Sequence, residues 1–216
     1  MSSASIQAAF SFLCPWLALL WLLQLIVGDR PFKRGPVRLL FLAVVAVGIL
    51  QVPIKGFSLA LWVRGIEANF SIPLLALLAA RVVKNEFKVE VLDSKAYLAG
   101  WIFGAASAVA LFPFALGLGK VDPYEWGWKF SPLFIAMAAV TSFLIWKQNR
   151  FGIVLLMTIL ACHLRLLESS NYWNYLVDPV YAVVSIVALL NGLVRRLSRR
   201  SARLWTATEA RSKHAR

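Results

Sequence analysis

The sequence predicts an all-α fold: a polytopic membrane helical bundle of about seven transmembrane helices, N-terminus outside and C-terminus inside. Three observations carry this. The 216 residues are 60% apolar and only 15% charged, with a mean hydropathy of +0.72, whereas a soluble domain is nearer half apolar and a quarter charged. The apolar residues fall into repeated runs of a length that crosses a bilayer rather than fills a core. The 23 Lys and Arg residues gather in alternate gaps between those runs.

Taken in order, the first span covers about 10–28, FSFLCPWLALLWLLQLIVG, followed by the basic loop DRPFKRGP. No Lys or Arg precedes this span, so it reads as a retained helix and not as a cleaved signal peptide. The second covers about 37–54. Residues 56–83 are ambiguous: the third span is either 70–83 behind a surface loop, or a longer helix from near Gly56 with a polar patch part-way into the bilayer. The charged loop KNEFKVEVLDSK leads to the fourth span, about 96–117. Loop KVDPYEWGWK precedes the fifth, about 130–146, and KQNR separates it from the sixth, about 151–167. The outer loop ESSNYWNYLVD leads to the seventh, about 179–194. Two regions result: an integral membrane bundle, 1–195, and a basic cytoplasmic tail, 196–216.

Orientation follows from counting. With the N-terminus outside, eighteen basic residues lie inside and five outside: Lys55, Arg64, Lys120, Lys129 and Arg165. Acidic residues divide five and five, as expected of a rule written in Lys and Arg alone. Helix-start grammar agrees. Pro15, Pro73, Pro132 and Pro179 sit near the starts of odd-numbered spans, and Ser71, Ser131 and Asp178 precede three of them as N-caps. Asp122-Pro123-Tyr124-Glu125 repeats the pattern and predicts a short interfacial helix, with Glu125 at the capping-box position.

The net charge of +13 is then membrane topology; no compact basic module remains to bind nucleic acid. The tail instead suits anionic inner-leaflet lipids, at about 1 kcal/mol per nearby basic residue. Residues 195–205 read as an interfacial helix and the remainder as disordered. Cys14 and Cys162 lie in apolar stretches and read as buried free thiols. Gly100 and Gly104 give the fourth span a small-residue face for close packing, within the bundle or against a membrane-protein partner. Trp and Tyr near the span ends, among them Trp62, Trp126, Trp128, Tyr172, Trp173 and Tyr175 outside, read as an aromatic belt.

Candidate chemistry collects at the outer end. His163, Arg165, Glu168 and Asp178 form one set: a histidine to move a proton, an arginine to hold anionic oxygens, and a carboxylate to orient or activate. Arg64, Glu67, Asn69, Asp122, Glu125, Asn171 and Asn174 form a second, substrate-binding set. Arg64 and Arg165 each stand three residues from a glutamate, at helical pairing distance. A histidine in such a place is more often a structural hydrogen-bonding group than a general base. His163 is the sole histidine of the bundle, which excludes a bis-histidine haem or a multi-histidine zinc site. No metal and no cofactor is expected. P-loop, dinucleotide, HExxH and nucleophile-elbow motifs are absent. Ser169-Ser170 reads as loop, and Asn69-Phe70-Ser71 is a weak glycosylation sequon.

Three functions compete on this basis. The first is a non-enzymatic accessory or subunit of an envelope-assembly or transport system. The second is a membrane enzyme acting on a lipid-linked or phosphorylated substrate at the outer face. The third is a small transporter using a broken third helix, without an internal repeat to support it. Short loops and a compact chain point to a bacterial inner membrane.

Overall fold

The computed structural model describes residues 3–28, 34–118 and 120–214, with the backbone alone for residues 3, 4 and 199–214. The chain is mostly helical, and three helices are long and apolar enough to cross a membrane. These are α1 (Ser3–Val27), α5 (Ser94–Ala115) and the first part of α9 (Pro179–His214). Shorter helices stand between them: α2 (Pro36–Leu50), α4 (Ile72–Phe87), α6 (Pro132–Trp146) and α7 (Phe151–His163). A 15-residue helix rises about 22 Å, short of a ~30 Å hydrocarbon layer. Within the described residues α9 continues as one helix to His214, where disorder is expected from the sequence.

The ambiguous segment is neither plain loop nor broken transmembrane helix. Strands β1 (Pro53–Ile54) and β2 (Phe57–Ser58) pair antiparallel, with Pro53 opposite Ser58 and Ile54 opposite Phe57. The two linking residues, Lys55 and Gly56, both have positive φ, 51° and 88°, which a two-residue type I′ hairpin demands. Helix α3 (Leu59–Ile66) follows, capped by Ser58 Oγ, which accepts from Leu61 N. None of its residues is fully buried, and one face is apolar, so it rides on the bundle as an amphipathic surface helix.

Packing orders the helices into two groups. In one, α1 packs on α4 and α2; in the other, α5 packs on α9 and α6 on α7, with α7 joining the groups through α4. Glycine sets the closest approach. A Cβ on Gly104 would run into Ser185 Oγ and come within 2.8 Å of Tyr181 Cζ, and one on Gly100 would meet Phe151 at 3.2 Å. Tyr181 Oη also donates to Gly100 O at 2.6 Å. The small-residue face therefore has an occupant inside the chain.

The loops sort to two ends. Residues 51–71, 116–118, 120–131 and 164–178 lie at one, here the cap end, linked by Arg64 to Glu168, Asn69 to Ser169 and Asn171 to Tyr124. Residues 34–35, 88–93 and 147–150 lie at the other. There Glu86, 3% exposed, accepts from Gly35 N at 2.7 Å and from Gln24 Nε2 at 3.1 Å, with Arg38 Nη1 at 3.8 Å. This buried clasp ties the end of α1 and the start of α2 to the end of α4. Removing one partner of such a pair costs roughly 3–5 kcal/mol, because a buried charge loses its counter-ion.

Candidate functional site

Between α7 and α9 lies a short helix, α8 (Tyr172–Leu176), and between α5 and α6 a 3-10 helix, Pro123–Gly127. Asp122 Oδ1 accepts from Tyr124 N, as the Asp-Pro start predicts; Asn171 Oδ1 accepts from Trp173 N in the same way, opening a helix where the sequence reads as loop. Helix α8 is buried: Tyr172 is 1% and Tyr175 0% exposed. The aromatic-belt expectation is thus corrected for Tyr172, Trp173 and Tyr175, which are core residues plugging the cap end. Alternating aromatic and polar residues in a short segment look interfacial, and only packing separates the two cases. Trp126 and Trp128 are exposed, as a belt requires.

The cap end brings most of the expected polar residues together. Arg64 on α3 forms an ion pair with Glu168 across the cap. Asn69 Oδ1 accepts from Ser169 N at 3.2 Å. Asn171, fully buried, donates from Nδ2 to Tyr124 O at 2.9 Å, and Asn174 Oδ1 accepts from Tyr124 Oη at 3.3 Å. Asp178, 3% exposed, accepts from Tyr181 N with Oδ1 and from Ser71 N with Oδ2, each at 2.8 Å. It caps α9 and holds the start of α4 at once. Ser131 Oγ accepts from Leu133 N as the N-cap of α6, whereas Ser71 Oγ makes no capping bond.

Several expected pairings do not form. Arg64 reaches Glu168 and not Glu67, because Glu67 leaves α3 in an extended conformation with φ −146°. Glu67 instead turns back to accept from Asn69 N at 2.9 Å. Its carboxyl is half-buried, and its pKa is raised above the ordinary 4.5, first by burial and further by nearby Asp178. His163 is exposed at the end of α7, with no hydrogen bond or ion pair among the described residues. Asp178 spends both oxygens on backbone amides and Glu168 holds Arg64, so neither orients the imidazole. Arg165 is also exposed; its backbone takes φ +52° and its carbonyl accepts from Gln7 Nε2 at 3.2 Å. Glu125 is exposed on the rim. Cys14 and Cys162 are free thiols.

Beneath the cap, within the bundle, runs a partly open apolar groove of about 730 Å³. Its walls come from α1 (Cys14, Leu22), α3 (Val63), α4 (Leu74, Leu78) and α9 (Val184). It lies between α1 and α9, which belong to different packing groups. Arg81 lines it too, with its Cζ 4.2 Å from the centroid of the Tyr97 ring. Sequence reasoning assigned Arg81 to topology alone and did not register the groove, since neither feature has a local signature. Comparison with known protein families, curated proteins and solved structures gave no match.

Proposed function

We propose that the chain is a multi-pass protein of a bacterial inner membrane, crossing seven times with its N-terminus and cap end outside. In this reading it serves as a non-enzymatic accessory or subunit of an envelope-assembly or transport system. The orientation draws support from the sorting of the described loops: the interhelical loops counted as outer lie at the cap end, and the described parts of those counted as inner lie at the other. Helices of 13–16 residues cross with local thinning of the bilayer or with their flanking turns in the interface.

One observation carries the functional reading. Polar side chains of the cap cross-link its segments: Arg64 to Glu168, Asn174 to the Tyr124 hydroxyl, and Asn69, Asn171 and Asp178 to backbone groups of Ser169, Tyr124, Ser71 and Tyr181. Such cross-links turn loops into a rigid rim, and rigidity favours recognition because less ordering entropy is lost on binding. Chemical cross-linking in native membranes followed by purification of the full chain tests it. A defined membrane partner should be captured, and Glu168→Ala, which frees Arg64, should weaken capture several-fold. A chain that purifies alone under cross-linking refutes this reading.

A second reading, an enzyme acting on a lipid-linked or phosphorylated substrate at the outer face, draws on Glu67. Its half-buried carboxyl, held toward the protonated form near Asp178, is the kind of group that transfers a proton. Loss of cellular function in Glu67→Gln and His163→Ala at normal expression would favour it over the first.

A further inference from the structure

The groove beneath the cap has the shape and chemistry of a lipid site, and its charged end identifies the lipid. Its lining is almost wholly apolar apart from Arg81. Arginine carries five N–H donors in a planar fork, and those of Arg81 meet no acceptor and no carboxylate among the described residues. Arg81 lies over the face of Tyr97, which steadies the guanidinium without using its hydrogen bonds. Arg150 lines a smaller apolar groove of about 350 Å³ and gives the contrast. There Nη1 donates to Glu90 O at 2.7 Å and to Val91 O at 3.0 Å, so that cation is already engaged.

Depth fixes the leaflet. Arg81 stands five residues before the clasp residue Glu86 on α4, about 7 Å toward the cap at the helical rise. The groove continues from it past Leu78 and Leu74 toward Phe70, just ahead of α4, and the helix itself runs a further distance of about 14 Å from Arg81 to its start at Ile72. That is close to half of a ~30 Å hydrocarbon layer, the reach of one leaflet's chain. A lipid of the inner leaflet has its headgroup at the clasp end and its chain pointing toward the cap, which is the sense in which the groove runs.

We infer that the groove between α1, α4 and α9 holds one anionic phospholipid of the inner leaflet, its phosphate on Arg81 and an acyl chain along Leu78, Leu74 and Val184. Charge complementarity selects this occupant: a partner helix would leave the guanidinium unpaired in apolar surroundings, whereas a phosphate accepts its fork in a bidentate pair. The leaflet assignment rests on the orientation proposed above; the site itself does not.

Native mass spectrometry of the full-length protein, titrated with phosphatidylglycerol or phosphatidylcholine, tests the inference. One phosphatidylglycerol per chain should be retained in preference to phosphatidylcholine. Arg81→Gln should lower retention of the anionic lipid about tenfold, the weight of one charge-assisted hydrogen bond, and lower that of phosphatidylcholine, whose choline cation already neutralises the same phosphate, by less, so that the preference narrows. Leu78→Trp, which fills the groove and keeps the charge, should lower both. Arg150→Gln should alter neither. Circular dichroism checks folding of each variant, and Arg81→Lys, expected to keep part of the preference, replaces Arg81→Gln if that variant does not fold. Equal retention of both lipids, an unchanged Arg81→Gln, or a polypeptide recovered in place of lipid overturns it. The readout is independent of sidedness, so failure of the orientation would appear in labelling experiments and not here.

Discussion

Asp178 joins two helices through one carboxylate. Oδ1 caps α9 at Tyr181 N and Oδ2 accepts from Ser71 N, and the group is buried. Losing an N-cap costs about 1 kcal/mol and stranding a buried amide about 1–3 kcal/mol. Asp178→Ala should therefore destabilise the protein by roughly 2–4 kcal/mol, and Asp178→Asn, which keeps one acceptor oxygen, by about half as much; thermal unfolding in detergent measures both. Glu67 works in the opposite sense. Burial raises its pKa in the folded protein above 4.5, so the folded state holds that proton more tightly than the unfolded chain does. Its contribution to stability is complete below pH 4.5 and is lost as pH rises through the elevated value. Glu67→Gln keeps an acceptor for Asn69 N and removes the ionisation. It should unfold at a higher temperature than the parent at pH 7.5, with the difference closing toward pH 4.5. A parent that is the more stable protein at pH 7.5 would contradict this account.

At the scale of elements, the α5–α9 contact depends on missing side chains. The Cβ of Gly104→Ala would collide with Ser185 and Tyr181, and overpacking of this kind costs roughly 1–3 kcal/mol. Gly48 on α2 has nothing within 4 Å of an added Cβ. Gly48→Ala should be neutral or stabilising by up to about 1 kcal/mol, the helix-propensity difference. Measured side by side, the two substitutions separate packing from backbone entropy. This element-level contact was legible in the sequence as a small-residue face, but its occupant was not. Spacing reveals that a helix can be approached closely; only the folded chain shows that α9 does so. The same limit applied at α8, whose Tyr and Trp residues read as interfacial and are core. At α3, a surface helix and a broken span have the same composition over so few residues.

For the whole molecule, the two loop ends make a topological statement. In a background lacking Cys14 and Cys162, a cysteine at exposed Ser170 should react with an impermeant maleimide added outside intact cells. One at exposed Gln148 should react only after permeabilisation. Labelling of both from the same side would remove the seven-span topology and its orientation. At this scale the molecule also divides its polar groups by purpose. The cap end uses them to knit loops, the opposite end uses Glu86, Gln24 and Arg38 to clasp three helices, and among the described residues Arg81 is the charged group that lines the larger apolar groove.

By itself the sequence determined the membrane class, the approximate positions of most helices and most of their start signals, and it supplied the charge count on which the proposed orientation rests. All of these are local or additive: hydropathy sums over a window, a cap concerns four residues, and a charge count needs no partner. Tertiary structure decided which charges meet. Arg64 and Glu168 stand 104 residues apart, and Ser71 and Asp178 107; nothing in a local window relates them. It also decided that His163 and Arg165 make no pair with Glu168 or Asp178, and that a groove lies between α1, α4 and α9. Both are properties of the space between helices, which no single helix encodes.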